Sequence, residues 1–512
     1  MKRSSAKCNA AALRRPTRQT LAAFAMVACV VASGAGGASV LAADVAGVAA
    51  TTAAGHAVRP TSDAPRPLQV PKPVSYKLPN GLTVALLEDH RVPMVTLQLG
   101  VRVGDVNDPK GLEGTAEMTA DLLNEGTTNR TAKQIADTID GMGGAMHASA
   151  DSDFTVVSGS ALADYKDSFL DVVADIVKNA NFPEDELKLE KANLTQTLSM
   201  KRTDPDFLNS ERFHKVVYGP NPYAVVAPTR ESVAKITRDD LVAFHKNHYL
   251  PNGANLVVVG DFDTAKMKEI IAAKFGDWSA GKATETSFAN PPEQTGTKIY
   301  LVDRPGSVQS AVRVGNLGIS KTDPDYFSTM VANQVLGGSP NSRLFLNIRE
   351  NKGYTYGAYS SFAAKKQPGL FAATANVRTP VTAPSLVEFM YELNRIRTLP
   401  VSKDELESAK KYLIGNYELS FETQGNVASR LLEQMMYGLP EDYLATYTDR
   451  IRAVTPEDVR RVAHKHIDYN NLVITIVGDA KQIEPDLKWF GPVEVYDAQG
   501  KLVREDKTSP NG

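Results

Sequence analysis

The strongest chemical signal in the sequence is a glycine-rich turn followed by an arginine and a tyrosine seven residues apart. The turn is Leu-Gly-Gly-Ser-Pro-Asn-Ser-Arg-Leu-Phe at 336–345, and the pair is Arg349 and Tyr356. A tyrosine hydroxyl, with a reference pKa near ~10, donates a hydrogen bond without ionising. A guanidinium can hold a polar backbone and stabilise negative charge, so the pair would suit a reaction that builds charge on oxygen. The alternative is that Arg349 caps a helix end and Tyr356 packs in a strand.

Other residue types that commonly do chemistry are scarce or poorly spaced. The closest histidine pairs are His245 with His248, and His464 with His466. Helical residues two apart lie on different faces, and we interpret all four histidines as solvated or hydrogen-bonded. Both cysteines, Cys8 and Cys29, lie in the first 43 residues. The rest of the chain therefore has no thiol for catalysis, disulfide formation or metal binding.

Apolar periodicity predicts the elements that position these residues. Strands are expected at 83–87 and 94–103, and helices at 112–125, 132–142, 163–179, 184–202 and 237–248. The sequence also repeats itself, because residues 237–261 align with 455–479 without a gap at an offset of 218. Each copy reads as a helix followed by a buried strand, and each closes a segment of similar size. We therefore predict an α+β fold made of two tandem homologous domains.

The two motif regions together resemble the pitrilysin/insulysin family of zinc peptidases (inverted zincins) over residues 75–490. In the first region the matching residues are Gly111-Leu112, Glu117 and Glu125-Gly126-Thr127. In that family one helix carries His-x-x-Glu-His, whose histidines bind zinc and whose glutamate is the general base. Here the histidine positions are Gly114 and Met118, while the glutamate survives as Glu117.

The third ligand of the family is also replaced. In the family this ligand is a glutamate that follows another acidic residue by seven positions. In this chain Glu190 is the acidic residue, and Thr197 occupies the ligand position. Glycine, methionine and threonine do not replace the donors that zinc requires. We therefore expect this chain to bind no cofactor, with Glu117 left as an orphan general-base position and zinc held by a partner subunit.

The resemblance implies that each domain is a mostly antiparallel sheet covered by helices, and that the chain forms half of a clamshell chamber. Related proteins of this length work as dimers in which one subunit holds zinc and the other the arginine–tyrosine pair. The resulting hypothesis is a non-catalytic, substrate-binding and transition-state-stabilising subunit of an exported heterodimeric zinc metallopeptidase that degrades unfolded peptides. Arg349 and Tyr356 would act in the site of a homologous partner with an intact His-x-x-Glu-His motif, and Gly337 and Gly338 would help to bind substrate.

Two other hypotheses stay open. The chain could form a homodimeric peptide-binding or structural protein with no peptidase activity, or an active zinc peptidase with rearranged ligands. Retention of Arg349 and Tyr356 argues against a mere scaffold. A neighbouring gene for an exported homologue with an intact zinc motif would favour the heterodimer.

The first 43 residues predict a signal peptide, because basic residues precede a short apolar run and small residues follow it. They hold six of the 57 basic residues and no acidic ones, so the remainder has 51 basic against 59 acidic residues, a net charge of −8. That balance argues against nucleic acid as a partner, and no later stretch predicts a membrane span. The expected location is the periplasm, with lipidation at Cys29 as the alternative.

The predicted organisation follows from these boundaries. Its segments are a signal peptide at 1–43, a flexible lead-in at 44–72, an N-terminal domain without its zinc site at 73–285, a C-terminal domain with the arginine–tyrosine pair at 286–490, and a tail at 491–512.

Overall fold

The computed structural model describes residues 70–282 and 286–506. The predicted signal peptide at 1–43 and the lead-in up to residue 69 lie outside the described residues. In the part of the chain that the structure describes, no helix is long and apolar enough to cross a membrane.

The first half of the described chain forms a six-stranded sheet. Its strands are β1 (Val74–Lys77), β2 (Thr83–Glu88), β3 (Met94–Val101), β4 (Ala145–Ala150), β5 (Thr155–Leu162) and β6 (Ala254–Gly260). Its helices are α1 (Thr115–Asp121), α2 (Ala132–Gly141), α3 (Lys166–Asn179), α4 (Glu184–Lys201), α5 (Pro205–Tyr218), α6 (Arg230–Lys235), α7 (Arg238–His248) and α8 (Thr264–Phe275). The strand order is β1-β2-β6-β3-β5-β4, and only β2 and β6 pair in parallel.

The second half forms a seven-stranded sheet. Its strands are β7 (Lys298–Asp303), β8 (Gln309–Leu317), β9 (Thr355–Ala363), β10 (Leu370–Arg378), β11 (Val473–Gly478), β12 (Val493–Tyr496) and β13 (Leu502–Asp506). Its helices are α9 (Tyr326–Leu336), α10 (Thr382–Thr398), α11 (Lys403–Leu419), α12 (Gln424–Met436), α13 (Tyr443–Ala453), α14 (Pro456–His466) and α15 (Ala480–Leu487), with a π-helical segment at Phe345–Asn351.

The order of the second sheet is β13-β12-β7-β11-β8-β10-β9, in which β7 pairs in parallel with both β11 and β12. Strands β12 and β13 fall within 491–512, so the sheet extends into the segment that we predicted to be a tail. The physical reason is that Val493 and Val495 alternate with polar residues and bury their side chains against the core.

The internal repeat corresponds to equivalent elements of the two sheets. Thr237 and Thr455 cap α7 and α14, and each accepts a hydrogen bond from the backbone of the aspartate three residues later. The helices lead into β6 and β11, which both lie at the centre of their sheets between a parallel and an antiparallel neighbour. The α+β architecture with two similar domains is therefore confirmed.

Two helices pack on the sheet of the other half of the chain. Helix α5 belongs to the first half of the chain, but it packs on β8 and β11 of the second sheet. Helix α12 belongs to the second half and packs on β3 and β6 of the first sheet. A single apolar core consequently includes Val257 and Val259 of the first sheet together with Leu431 and Leu432 of α12.

Candidate functional site

The first position of the degenerate zinc motif lies just outside a helix. Apolar periodicity predicted a helix over 112–125, whereas α1 covers only Thr115–Asp121. The helix begins later than predicted because Gly114, its N-cap, has φ +102°, in the left-handed region that favours glycine. A Cβ atom on Gly114 would lie 2.9 Å from Cβ of Pro228. A histidine at this position would therefore be strained by both backbone and contact.

The start of α1 is held by a residue that the sequence analysis missed. Asp108 accepts hydrogen bonds from the backbone amides of Gly114 at 2.6 Å and Ala116 at 2.7 Å. Burial raises the pKa of Asp108 to about 7, and these two amide bonds oppose the rise. The available signal was an acidic residue shortly before a helix start, which is a common capping arrangement.

The remaining ligand positions face opposite environments. Met118 is fully buried in the core of the first half, and Thr197 is exposed on α4. Glu117, on the same short helix as Met118, is half-buried. Burial raises the pKa of Glu117, and the charge of Lys201 on α4 counteracts this. These residues supply neither the donors nor the geometry of a zinc site.

Acidic side chains surround Glu117. Burial raises the pKa of Asp121 to about 7, and the charges of Glu117 and Glu190 raise it further. The pKa of Glu190 is raised by its own burial and then by Glu117. The surface between α1 and α4 therefore carries carboxylates that repel one another and titrate above their usual range.

Within the described ranges, the one group of His, Asp or Glu side chains close enough to share a metal is elsewhere, at Asp323, Asp325 and His466. Asp325 is already ion-paired with Arg461 at 2.7 Å, Lys465 at 2.8 Å and His466 at 2.9 Å. These partners hold the pKa of Asp325 well below its usual range against the opposing effect of burial. A cation would have to displace Arg461 and Lys465 from Asp325, so the group fits an ion-pair cluster and not a metal centre.

The histidine interpretation is confirmed at His245 and His466, which make hydrogen bonds. His245 Nε2 lies 2.8 Å from the carbonyl oxygen of Val177, and burial lowers the pKa of His245 to about 4. His466 contacts the Asp325 carboxylate described above.

In the second half, Gly337 allows the end of α9 to approach β9 closely, and Gly338 allows the chain to turn back against α9 itself. A Cβ atom on Gly337 would lie 2.2 Å from the backbone nitrogen of Ser360, and one on Gly338 would lie 2.8 Å from Cα of Gln334. The amide of Ser360 donates to the carbonyl of Gly337 at 2.9 Å. Gly337 thus brings the turn against the strand that carries Tyr356.

Arg349 lies in the π-helical segment and is partly exposed. Its guanidinium pairs with Glu350 and lies over the ring of Phe345, 5.2 Å from the centroid. In the same segment, the amide nitrogen of Asn347 donates to Glu388 at 3.1 Å and to Glu392 at 3.0 Å, both on α10. Segments with π-helical bonding are frequent at functional sites, and Asn347 anchors this one.

Tyr356 lies on β9, the edge strand of the second sheet, and is 88% exposed. Its hydroxyl makes no hydrogen bond among the residues that the structure describes. The ring is therefore not packed in the strand. Tyr359, which the sequence analysis missed, lies near Arg349, because its ring centroid is 5.6 Å from that of Phe345, the ring over which Arg349 lies. An exposed aromatic residue three positions after Tyr356 was the available signal.

Comparison with known protein families supports the resemblance to zinc peptidases of the pitrilysin/insulysin type. A model described as "Insulinase (Peptidase family M16)" matches residues 83–225, and one described as "Peptidase M16 inactive domain" matches 235–413. Together the two matches span more than half of the chain. The chain belongs to the M16 peptidase family.

Similar proteins cover most of this M16 chain. An uncharacterized zinc protease of Streptomyces coelicolor is 28% identical over 396 residues, 75% of this chain and 85% of that protein. A non-peptidase homolog of Helicobacter pylori is 23% identical over 397 residues, 77% of this chain and 91% of that protein. The crystal structure of a peptidase M16 inactive domain from Pseudomonas fluorescens superposes with a TM-score of 0.75 at 27% identity, covering 79% of this chain and 98% of that one.

These comparisons and the residues at 114, 118 and 197 lead to one conclusion. The chain is a non-catalytic member of the M16 family, with its zinc ligands replaced in the first half and an exposed arginine–tyrosine pair in the second.

Proposed function

We propose that this chain is the substrate-binding and transition-state-stabilising subunit of an exported heterodimeric zinc metallopeptidase that degrades unfolded peptides. The observation that carries the proposal is the exposure of Tyr356, whose hydroxyl has no partner among the described residues. A large aromatic side chain with a free donor is suited to contact another molecule. The partner would be a homologous subunit with an intact His-x-x-Glu-His motif, and that subunit would hold the zinc.

Arg349 and Tyr356 would have separate tasks in the partner's site. Hydrolysis of a peptide bond develops negative charge on the carbonyl oxygen, and the Tyr356 hydroxyl would donate a hydrogen bond to that oxygen. The guanidinium of Arg349, now paired with Glu350, would hold the peptide backbone and add positive charge. This chain has residues for both tasks, but Gly114, Met118 and Thr197 at the family's ligand positions offer no ligand set for zinc.

The experiment is purification of the native protein from its own cells under mild conditions, followed by mass spectrometry and peptidase assay. We expect an M16 homologue with an intact zinc motif to co-purify, and peptidase activity to require both chains. The separated chain should hold no stoichiometric zinc after dialysis against a weak chelator.

Two results would contradict the heterodimer. A homodimer with no catalytic partner and no activity would favour the peptide-binding or structural alternative. One tightly bound zinc per chain, with activity in the separated protein, would favour an active peptidase. Both outcomes are visible in the same preparation.

Export is the remaining part of the proposal. The mature N-terminus should map near Ala43 in a periplasmic fraction, since the small residues before it suit signal-peptide cleavage. A lipid-modified Cys29 at the N-terminus would instead place the protein at a membrane.

A further inference from the structure

The strand that carries Tyr356 contains a break in its pairing. The pairs between β9 and β10 on either side of the break are Ala358–Ala375 and Thr355–Val377. Two residues of β9, Tyr356 and Gly357, therefore stand opposite the single residue Asn376 of β10. This is a β-bulge, which bends the strand and redirects the side chains at the break.

The bulge decides which way Tyr356 points. Along β9, Ala358 and Ser360 are buried, and the hydroxyl of Ser360 donates to Asn333 of α9 at 2.9 Å, while Tyr359 between them is exposed. In an unbroken strand, residues two apart share a face, so Tyr356 would point to the covered face of Ala358. It is 88% exposed instead. The extra residue has turned it outward.

The hydroxyl of Thr355 occupies the centre of the bulge. It accepts a hydrogen bond from the amide of Gly357 at 3.1 Å. It also lies within donor distance of two carbonyl oxygens, that of Asn376 at 2.7 Å and that of Gly357 at 2.9 Å. A bulge disrupts the backbone ladder and leaves polar groups that need other partners. The Thr355 side chain supplies those partners.

The second residue of the bulge, Gly357, leaves room for the ring of Tyr359. A Cβ atom at this position would lie 2.7 Å from the ring of Tyr359, so the ring folds back over the glycine. The centroid of the same ring is 5.6 Å from that of Phe345, over which the guanidinium of Arg349 lies. The bulge, the Tyr359 ring and Phe345 thus form a continuous path between Tyr356 and Arg349.

We propose that Thr355 is a positioning residue, whose hydroxyl holds the bulge that turns Tyr356 away from the sheet. Its importance for catalysis rests on the proposed function, but its effect on the direction of Tyr356 does not. The two can therefore be tested apart.

The structural test uses Thr355→Val and Thr355→Ser in the mature chain. Valine keeps the β-branched shape and suits a strand, but it removes the hydroxyl, whereas serine keeps the hydroxyl. The rate of nitration of Tyr356 by tetranitromethane is measured by fragment-ion mass spectrometry, with Tyr391 on α10 as the internal reference because it is 55% exposed. Thr355→Val should slow nitration of Tyr356 severalfold relative to Tyr391, and Thr355→Ser should retain the rate. Equal rates in Thr355→Val and the unmodified chain, with the fold intact by circular dichroism, overturn the proposal.

The catalytic test uses the same variants in the complex with the zinc-bearing subunit recovered by co-purification. Thr355→Val should lower kcat by about 10- to 100-fold, up to the range for one lost oxyanion donor, and Thr355→Ser should rescue it. Combined with Tyr356→Phe, Thr355→Val should add no further loss, since both act through one hydroxyl. Slower nitration with unchanged kcat would uphold the positioning by Thr355 and overturn the proposed catalytic role of Tyr356.

Discussion

Met118 and Tyr356 are both large side chains at motif positions, yet Met118 is fully buried and Tyr356 is largely exposed. Met118 has become part of the core beneath the short helix α1. Tyr356 keeps a hydroxyl that can reach another molecule, and Glu117 keeps a carboxylate with no metal ligand beside it in the motif. At the scale of single residues, the second half therefore retains chemistry that the first half has lost.

The first residue-scale prediction concerns that hydroxyl. In the reconstituted complex, Tyr356→Phe should lower kcat by about 10²- to 10³-fold, the cost of one oxyanion donor. The fold and partner binding should survive, because the hydroxyl has no partner among the described residues. Glu117→Gln is the control and should leave peptidase kinetics nearly unchanged. Loss of activity in Glu117→Gln with a silent Tyr356→Phe would show that this chain is the catalyst.

The second residue-scale prediction compares two glycines in the left-handed region. Gly111 has φ +83° with nothing near its missing Cβ, whereas Gly114 has φ +102° and Pro228 at 2.9 Å. Gly111→Ala should cost about 1 kcal/mol of unfolding free energy from backbone strain alone, and Gly114→Ala should cost up to about 3 kcal/mol. Urea unfolding followed by circular dichroism measures both. Equal losses would show that Pro228 moves aside freely.

At the scale of elements, the Ser-Arg-Leu-Phe stretch at 342–345 is held in place by an ion pair. Arg343 is buried, and its guanidinium makes two hydrogen bonds to Glu405, at 2.7 and 3.0 Å. Glu405 is also in the capping box that starts α11 with Ser402. The pair therefore ties the turn before the π-helical segment to the first turn of a long helix.

This pair predicts a pH-dependent contribution to stability. The hydrogen bond from Arg343 lowers the pKa of Glu405 to about 2, against the opposing effect of burial. A carboxylate with a lowered pKa stabilises the fold fully above its unfolded value near ~4.3 and loses this effect as the pH falls through its folded value. Glu405→Gln should therefore cost about 1–3 kcal/mol at pH 7, and the difference from the unmodified chain should shrink between about pH 4 and pH 2.

Urea unfolding of both proteins across this pH range checks the prediction. The matched control is Glu407→Gln on the same helix, because Glu407 is half-exposed and only 3.5 Å from Lys410, which also donates to the carbonyl of Arg452. Such pairs contribute little, so Glu407→Gln should change stability by less than about 1 kcal/mol at any pH. A pH-independent effect at Glu405 would mean that packing, and not charge, carries its contribution.

At the scale of the whole molecule, the exchange of helices joins the halves into one unit. Asn209 of α5 donates to the carbonyls of Ala311 at 2.7 Å and Thr475 at 3.0 Å, in the second sheet. The hydroxyl of Thr475 in turn donates to the side-chain oxygen of Asn209 at 2.7 Å. A helix from the first half is thus joined by buried hydrogen bonds to two strands of the second sheet.

The prediction is that the two halves unfold together. Asn209→Ala should leave the buried Thr475 hydroxyl without its acceptor and cost about 1–3 kcal/mol. It should shift a single transition that both halves share to lower urea concentration. Far-ultraviolet circular dichroism and tryptophan fluorescence are compared in a Trp489→Phe background, because Trp489 is exposed in the second half and Trp278 then reports alone from the core of the first half. Two separate transitions, with only one shifted by Asn209→Ala, would contradict it.

The sequence by itself determined the features that depend on residue identity or local pattern. The loss of zinc donors is readable at Gly114, Met118 and Thr197 because glycine and threonine offer no suitable ligand in any fold. The repeat was readable because a capping box followed by a β-branched run is local chemistry.

Only the tertiary structure decided the features that depend on contacts between distant residues. Gly114, with its left-handed backbone, lies against Pro228. Helices α5 and α12 each pack on the sheet of the other half of the chain. The direction of Tyr356 follows from the register between β9 and β10. The two-residue alternation of a regular strand predicts that Tyr356 points to the covered face, because that alternation takes no account of a bulge. Register and close approach are properties of pairs of elements, so they are settled when the elements pack.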